Sequence, residues 1–273
     1  MNSIAKNTIV FFSDSFFTRP IFSRLFSALG SNHLFKWKKL LAEHHFFKAT
    51  NFSKVVLGGP FKGMRYPSLH AKCSVMAPKI IGSYESELEE VIKSVSTSAY
   101  DTIIDIGCAE GYYAVGFALT TQNASIYAYD IDNEALKMCG EMAKINGVAN
   151  KMYLSNKFTP NDIKKIEKTK RTFILCDCEG YEKELFTVET IPFLSNTDLL
   201  IEMHDIFDAS ISSTVLPLFS ESHKLKIFYS HKPNPGLYNI LNSYNDEFKE
   251  LVLSEKRDGP MTWAYLKSNF GAK

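Results

Sequence analysis

The chain has 273 residues, of which 45% are hydrophobic and 22% are charged, and its formal net charge is +1. This length suits one large α/β domain with an N-terminal extension and a core of substantial size. Lysine and arginine are spread along the chain, so the charge pattern argues against the counterion-release binding of nucleic-acid enzymes and favours a small or saccharide-type partner.

The cysteines and the N-terminal residues indicate in which cellular compartment the protein is expected. Five cysteines form no CxxC pair and no spacing typical of zinc: Cys73, Cys108, Cys139, Cys176 and Cys178. We interpret them as buried free thiols, which fit a reducing cytoplasm. The short apolar patch at 9–12 is interrupted by Asp14 and Arg19. The sequence therefore predicts neither a signal peptide nor a transmembrane segment, and a cytoplasmic protein is expected.

Residues 1–54 are rich in aromatic and basic side chains at loosely helical spacing. We interpret them as helices that pack on the core or on another subunit, which makes a homodimer through this region one expectation. Peripheral membrane association is the alternative.

Residues 55–67 contain a Gly-Pro-rich turn that is typical of a short hairpin. Tyr84 and Glu85 then lead into a helix predicted over 87–95.

From residue 101 onward, strand-like and helix-like segments alternate. Strands are predicted near 102–106, 125–129, 151–155, 172–177, 198–204, 223–229 and 261–267. Helices are predicted near 111–120, 133–145, 160–168, 180–190, 209–220 and 243–254. This order predicts a seven-stranded, mostly parallel α/β sheet whose last strand enters antiparallel. Residues 1–81 would form an N-terminal helical extension, and residues 82–273 the main domain.

The run from 102 to 113 carries the first motif. An apolar β-type run stops at Asp105, Gly107 and Gly111 follow four apart, and a helical pattern begins. Open α/β sheets bind ligands at such a turn. Dinucleotide sites use G-x-G-x-x-G and place a pyrophosphate at the helix N-terminus, whereas Asp105 and Glu110 would repel one here. The motif favours a cationic or hydroxyl-rich ligand, and an ordinary strand-turn-helix with incidental acids is the alternative.

The second predicted strand ends in Asp130-Ile131-Asp132, and a carboxylate at this position can accept hydrogen bonds from both hydroxyls of a ribose. The two motifs together resemble the class I S-adenosylmethionine-dependent methyltransferases. The resemblance implies a Rossmann-like fold with S-adenosylmethionine as cofactor, and it places Asp130, with Ile131 beside it, at the ribose. The first loop would hold the methionine part through Asp105, Gly107, Glu110, Gly111 and Tyr112.

The segment before the first core strand adds one more candidate cofactor residue, Glu85. A Tyr-Glu pair at 84–85 resembles the element that many class I methyltransferases fold over the cofactor. An exposed helix N-terminus with favourably placed acids explains the same residues, because negative charge stabilises that end of a helix. Both interpretations stay open at this point.

The fourth and fifth predicted strands end in titratable residues. Asp177 and Glu179 follow the fourth strand, and Glu202, His204 and Asp205 follow the fifth. The carboxyl ends of central parallel strands surround the ligand crevice, so five ionisable groups are expected at one mouth. Such a cluster is costly unless a cation, a proton or hydrogen-bond donors compensate it.

These two strand ends resemble the FkbM-type methyltransferases, a branch that mostly methylates oxygen in polyketide-type natural products and sugars. The pattern D-x-E-G-x-E with a downstream E-x-H is matched by Asp177, Glu179, Gly180, Glu182, Glu202 and His204. The resemblance spans residues 82–267. One departure is that the third strand is followed by 155–157, Ser-Asn-Lys, where many class I enzymes place an acid that meets the adenine amine.

Methylation of an alcohol requires a proton acceptor, and a positioned base adds roughly 10²–10⁴-fold to the rate. His204 is the predicted base because its intrinsic pKa lies near neutrality. Asp177 is a further catalytic candidate, and it is also expected to contact the cofactor, as the resemblance implies. Glu179 or Asp205 could orient the imidazole or bind acceptor hydroxyls. A histidine held by neighbouring acids without catalytic duty is the alternative.

A divalent metal is a second way to activate an acceptor hydroxyl at this mouth. Asp177, Glu202 and His204 offer oxygen and nitrogen ligands for Mg²⁺ or Mn²⁺. The chain lacks the paired Asp-Asn that would strengthen this interpretation, so no metal is favoured.

The sequence as a whole predicts an S-adenosylmethionine-dependent methyltransferase that methylates an oxygen of a small or saccharide-type acceptor. Two alternatives stay open. An N-methyltransferase would use a neutral amine that needs no strong base. A non-catalytic protein of the same fold would bind S-adenosylmethionine without transferring the methyl group.

Overall fold

The computed structural model describes residues 19–28, 30–72, 74–257 and 259–270. The chain divides into two compact units. The sheet unit comprises Lys54–Pro233 and Lys256–Lys273, and the helical unit comprises Met1–Ser53 and Asn234–Glu255. Cys73, Asp14 and the apolar patch at 9–12 lie outside the described residues. The functional division into 1–81 and 82–273 stays a prediction.

The sheet unit contains seven strands. They are β1 (Thr102–Ile106), β2 (Ser125–Tyr129), β3 (Met152–Ser155), β4 (Thr172–Cys176), β5 (Thr197–Met203), β6 (His223–Tyr229) and β7 (Thr262–Ser268). No strand begins or ends more than one residue from its predicted bound. β4 and β5 are buried along their whole length, as expected for apolar strands at the centre of a parallel sheet.

The strand order is β3-β2-β1-β4-β5-β7-β6. β1 to β5 pair in parallel, and β7 runs antiparallel to both β5 and β6. This confirms the Rossmann-like, seven-stranded and mostly parallel sheet that the sequence predicts. The direction of winding reverses between β1 and β4, so the carboxyl ends of these two strands mark the crevice in which open α/β sheets bind ligands.

Ten α-helices and six short 3₁₀ helices are present in the part of the chain that the structure describes. The α-helices are α1 (Arg19–Ala28), α2 (Ser31–Ala49), α3 (Met76–Ile81), α4 (Glu89–Thr97), α5 (Tyr112–Thr120), α6 (Asn133–Ile145), α7 (Pro160–Ile163), α8 (Glu182–Leu185), α9 (Ile211–Val215) and α10 (Asp246–Leu253). The 3₁₀ helices are Ser86–Leu88, Ala149–Lys151, Ile191–Phe193, Leu216–Phe219, Pro235–Leu237 and Asn239–Leu241.

Three helices are much shorter than the sequence predicts: α7, α8 and α9, the last of which continues as the 3₁₀ helix Leu216–Phe219. α7 ends at Ile163 because the amides of Lys165 and Ile166 bond to carbonyls three positions back instead of four, which tightens the chain out of the α-helical form. α8 ends before Phe186, whose backbone is extended. The Thr190 hydroxyl then donates to the Leu185 carbonyl and replaces a helical hydrogen bond.

The main core of the sheet unit lies where β4 and β5 pack against the helices that follow them. Ile174 and Ile201 are fully buried there, and Phe186 and Phe219 pack beside them with ring centroids 5.8 Å apart. Burial of a side chain of this size contributes about 1.5–3 kcal/mol. This core fixes β4 and β5, and with them the strand ends that carry the acidic residues.

The helical unit has a small aromatic core of its own. Trp37 and Leu41 of α2 are buried, and the ring of Phe26 stacks on Trp37 at 5.6 Å. Lys39 is also fully buried, and its Nζ donates to the carbonyls of Leu251 and Ser254 at the end of α10. The predicted helices of the N-terminal region are thus present over the described residues, while the homodimer stays a prediction.

The predicted hairpin over 55–67 is present in a minimal form. Val55 and Arg65 form an isolated antiparallel bridge. The amide of Val56 donates to the Met64 carbonyl, and the amide of Gly63 donates to the Val56 carbonyl.

Among the described helices, none combines the length and the apolar character that a membrane crossing needs.

Candidate functional site

A cavity of about 450 Å³ opens at the carboxyl ends of β1, β2 and β4. This volume lies within the range of small-molecule sites. Seven residues predicted from the sequence line it: Asp105, Gly107, Tyr112, Asp130, Ile131, Asp177 and Glu179. Six other candidate residues do not line it in the part of the chain that the structure describes: Glu85, Glu110, Gly111, Glu202, His204 and Asp205.

Gly107 allows two loops to meet at the floor of the cavity. Its φ is +85°, and a Cβ at this position would lie 1.7 Å from the carbonyl oxygen of Asp177. No side chain fits in that space. Gly111 is constrained by a different neighbour, because a Cβ there would lie 2.7 Å from the Sγ of Cys139. Gly111 thus serves the turn into α5 and the packing on α6 rather than the cavity surface.

Asp105 is a buried carboxylate that faces the cavity. Asp105 is 1% exposed, and neither of its carboxylate oxygens accepts a hydrogen bond of ordinary geometry from the described residues. Burial and the nearby charge of Asp177 raise the pKa of Asp105 to about 8, although the Ala114 amide and the charge of Lys79 act in the opposite direction. A positively charged ligand group would relieve this cost.

Asp130 lies at the end of β2, where the resemblance implies a contact with ribose. One carboxylate oxygen accepts from the Ala109 amide at 2.9 Å, and the other accepts from the Asp132 amide at 2.8 Å. These bonds fix the side chain at the cavity edge, and each oxygen retains a second lone pair for a hydroxyl donor. Ile131 is mostly exposed beside it.

Glu110, which the sequence predicts as a cofactor residue, does not line the cavity. Its Oε1 lies 2.5 Å from the Nζ of Lys79, and its Oε2 accepts from the amide of Lys72 at 2.9 Å. Both side chains of the Lys79–Glu110 pair are buried. The lysine neutralises the acid that was expected to repel a pyrophosphate, and the lysine, not the acid, lines the cavity.

Glu85 also differs from its predicted placement. Its carboxylate accepts a hydrogen bond from the Tyr113 hydroxyl and lies 3.3 Å from the Nη2 of Arg257. The same guanidinium lies 3.3 Å from Glu87. Glu85 therefore sits in a separate ion cluster with a small void of about 10 Å³ beside it, and Arg257 balances acids there instead of at the cavity.

Among the described residues that directly follow β3, none of those that line the cavity is an acid that could meet an adenine amine. Asn156 and Lys157, which follow β3, line the cavity together with the buried ring of Phe158. Asn156 donates its amide to Asn133 at 2.6 Å, which orients the side-chain carbonyl. An amide oxygen can accept from an amine, so Asn156 is the candidate in place of the missing acid.

The strand-end cluster is organised around His204, which is 2% exposed. Its Nδ1 lies 2.6 Å from the Oε1 of Glu182, a fully buried carboxylate. Its Nε2 lies 3.3 Å from Asp177, 3.7 Å from Glu179 and 3.8 Å from Glu202. Four of the groups expected at one mouth are thus together, and Asp177 links them to the cavity.

The imidazole is held in its charged form. Burial lowers the pKa of His204, but hydrogen bonds with Asp177 and Glu182 and the charges of Asp177 and Glu202 outweigh it and raise the pKa to about 11. The near-neutral value on which the sequence argument relied does not hold, because it neglects these neighbours. Burial and the charge of Asp177 raise the pKa of Glu202 to about 10.

Asp205 points away from the cluster, contrary to the prediction. Its carboxylate accepts from the amide of Ser212 at 2.9 Å and from the Ser212 hydroxyl at 2.5 Å. It anchors α9 and neither orients His204 nor meets an acceptor. The sequence could not distinguish it from Glu202, because both lie beside the end of β5.

Glu179 occupies a backbone conformation that is rare for side chains other than glycine. Its φ is +54°, Gly180 follows at +101°, and the Glu179 side chain is 66% exposed. Such conformations cost about 1–3 kcal/mol and cluster at functional sites. Burial and the charge of Asp177 raise the pKa of Glu179, which makes it a better proton acceptor than a free carboxylate.

A metal ion would have ligands at the same place. Ligand atoms of Asp177, Glu179 and His204 lie within 4.8 Å of one another. The sequence predicted Glu202 as the third ligand, whereas the structure has Glu179 at that place.

Two residues of the site were not predicted from the sequence: Lys79 as a cavity residue and Glu182 as the partner of His204. An acid at position 182 was visible in the D-x-E-G-x-E pattern, whereas nothing in the local pattern marks Lys79.

Comparisons with known proteins bear on the class of enzyme. A family model described as Ribosomal protein L11 methyltransferase (PrmA) matches residues 86–177, which run from the helix before β1 to Asp177. No curated protein matches the chain. The match supports an enzyme of the S-adenosylmethionine-dependent methyltransferase class.

Several solved structures are similar to this chain at low identity. One is a putative rRNA-methylase from Clostridium thermocellum, with 10% identity, a TM-score of 0.45, and coverage of 67% of this chain and 97% of that one. Another is a precorrin-6y C5,15-methyltransferase from Geobacter metallireducens, with 13% identity, a TM-score of 0.44, and coverage of 65% and 86%. A third is the O-methyltransferase TomG from Streptomyces achromogenes in complex with SAM, with 8% identity, a TM-score of 0.45, and coverage of 68% and 81%.

Proposed function

We propose that this protein is an S-adenosylmethionine-dependent methyltransferase of the FkbM type that methylates a hydroxyl of a small or saccharide-type acceptor. The observation that carries the proposal is the double contact of Asp177. Its side chain lines the cavity and also lies 3.3 Å from the buried His204. A donor pocket and a proton-handling cluster therefore meet at Asp177, and Glu179 also belongs to both.

The cavity residues fit the groups of S-adenosylmethionine. The unpartnered carboxylate of Asp105 suits the α-ammonium group, and the fixed carboxylate of Asp130 suits the two ribose hydroxyls. Aromatic side chains, among them Tyr112 and Phe158, supply apolar surface. When bound, S-adenosylmethionine supplies an activated methyl group whose departure leaves a neutral thioether.

Because the leaving group is neutral, the protein contributes mainly by aligning the acceptor hydroxyl, which can be worth up to about 7–11 kcal/mol. Asp177 and Glu179 would bind and orient this hydroxyl. An imidazolium cannot accept its proton, so the base role predicted for His204 passes to Glu179, whose pKa is raised. His204 then acts as the cation that holds the carboxylates in place.

A thermal-shift panel tests the donor assignment. S-adenosylmethionine and S-adenosylhomocysteine should stabilise the protein, and NAD should not. Stabilisation by NAD alone would contradict the proposal. The acceptor is then sought by measuring S-adenosylhomocysteine release with a panel of sugars and other hydroxyl compounds beside a matched panel of amines. Turnover with amines only would favour N-methylation, and cofactor binding without turnover on either panel would favour the non-catalytic alternative.

A further inference from the structure

The cavity contains a buried cation that none of the roles described so far uses. The Nζ of Lys79 lies over the rings of Tyr84 and Tyr112, at 4.7 Å and 5.3 Å from their centroids, and its side chain is 3% exposed. Lys79 belongs to α3 and lines the cavity near the first loop. It is therefore a charged group placed where only a bound ligand reaches it.

The hydrogen bonding of Lys79 is incomplete. An ammonium group has three N–H donors. Within the described residues, Glu110 is its only hydrogen-bond acceptor. A buried donor without an acceptor is costly, and the faces of two aromatic rings compensate it only in part. Two donors thus remain for an acceptor atom supplied from the cavity.

Asp105 lacks hydrogen-bond donors, just as Lys79 lacks acceptors. Its two carboxylate oxygens lack hydrogen-bond donors of ordinary geometry, and the charge of Lys79 acts favourably on it. A cation-binding group and an anion-binding group thus face one cavity close to each other. A free phosphate would satisfy Lys79 but would bring no cation to the unpartnered Asp105. An ammonium and a carboxylate on the same carbon would satisfy both residues with no net charge.

We propose that Lys79 and Asp105 form a clamp for the α-amino acid end of the cofactor, in which Lys79 binds the α-carboxylate and Asp105 binds the α-ammonium. This inference rests on the proposed function and deepens it, because it makes Lys79 the residue that selects a cofactor with an intact carboxylate. Glu110 is then a positioning residue, because its hydrogen bond with the Lys79 ammonium holds that group at the cavity.

The clamp is tested with two probes that differ only in the carboxylate. These are S-adenosylhomocysteine and its decarboxylated analogue, S-adenosyl-3-thiopropylamine, and their dissociation constants are measured by calorimetry. The wild-type protein should prefer S-adenosylhomocysteine by roughly ten-fold to a hundred-fold, the range expected for charge-assisted hydrogen bonds.

The test variant is the double substitution Lys79→Met with Glu110→Gln, because Lys79→Met alone leaves a buried carboxylate without its partner. The preference should fall to about three-fold or less in this variant. Lys79→Arg should retain a measurable preference. Lys93→Met is the matched control, since the exposed Lys93 ammonium pairs with Glu89 in the same helix and does not line the cavity, and it should keep the full preference.

A third probe separates this inference from the proposed function. 5′-Methylthioadenosine lacks the whole amino acid end, so its affinity should be equal in the wild type and the double variant, which also shows that the variant is folded. Full preference for S-adenosylhomocysteine in the double variant would overturn the clamp, as would equal affinities for the two probes in the wild type. If the wild type bound none of the three nucleotides, the proposed function itself would be overturned.

Discussion

The Nδ1 atom of His204 lies 2.6 Å from the Oε1 of Glu182, and both side chains are buried. This contact fixes the ring so that Nε2 faces Asp177 and Glu179. Glu182 is part of the D-x-E-G-x-E pattern, and the structure gives it a definite task. It holds the cation that organises the carboxylates at the cavity mouth.

Glu182→Gln should lower turnover by roughly ten-fold or more while cofactor affinity stays unchanged, because the imidazole loses the charge-assisted bond that orients it. Steady-state kinetics beside calorimetry measure the two quantities. Glu184→Gln is the control, since Glu184 belongs to the same helix but is exposed. Equal losses in both variants would show that the effect is not specific to His204.

Asp105→Asn should stabilise the protein in the absence of cofactor and weaken S-adenosylmethionine binding by roughly ten-fold to a hundred-fold. The folded pKa of Asp105 is about 8, above its ordinary value of 3.8. The unfolded chain therefore ionises first as pH rises, and the wild type loses stability between pH 4 and pH 8. The melting-temperature difference between variant and wild type should be near zero at pH 4, grow up to pH 8 and remain constant above it. A difference that is independent of pH would contradict the buried, ionising carboxylate.

Asp130→Asn should weaken binding of S-adenosylhomocysteine by roughly ten-fold or more, because an amide replaces a charged acceptor of two ribose hydroxyls. Asparagine retains an oxygen for the Ala109 or Asp132 amide, so the loop is disturbed less than by alanine. Calorimetry gives the affinity, and Glu141→Gln on the exposed side of α6 is the comparison. Unchanged affinity in a folded Asp130→Asn protein would remove the ribose assignment.

Chelation should leave turnover unchanged, because His204 and the raised pKa of Glu179 provide a cation and a base without a metal. EDTA-treated and untreated enzyme are compared in the S-adenosylhomocysteine release assay. Loss of activity with recovery on added Mn²⁺ would reverse the conclusion and identify Asp177, Glu179 and His204 as ligands, since their donor atoms are already close together.

The strands were predictable to within one residue because each is set by a local apolar run bounded by turn residues. The placement of Asp105, Asp130 and Asp177 at one cavity also followed from the sequence, because parallel strands present their carboxyl ends at one edge. The positions of Glu110 and Glu85 outside the cavity could not be predicted, because each acid pairs with a residue that is distant in sequence. Lys79 and Arg257 carry no local signal that they neutralise these acids.

The charge state of His204 could not be read from its position for a related reason. Its pKa depends on four carboxyl groups from two strand ends and one helix, and on how deeply each is buried. The sequence places three of them near the histidine but does not give their distances. The shortened helices α7 and α8 have the same origin, since side-chain and three-residue hydrogen bonds compete with the helical pattern.

The close approach of Gly107 to the Asp177 carbonyl has a mechanical consequence. Since the backbone of the first loop rests on the backbone of the β4 turn, and the Asp177 amide bonds to the Ile106 carbonyl, neither loop can shift alone. Under the proposed function, a nucleotide that displaced the first loop would also displace Asp177, the carboxylate proposed to bind the acceptor. Binding of the donor would then set the geometry of the surface that the acceptor meets.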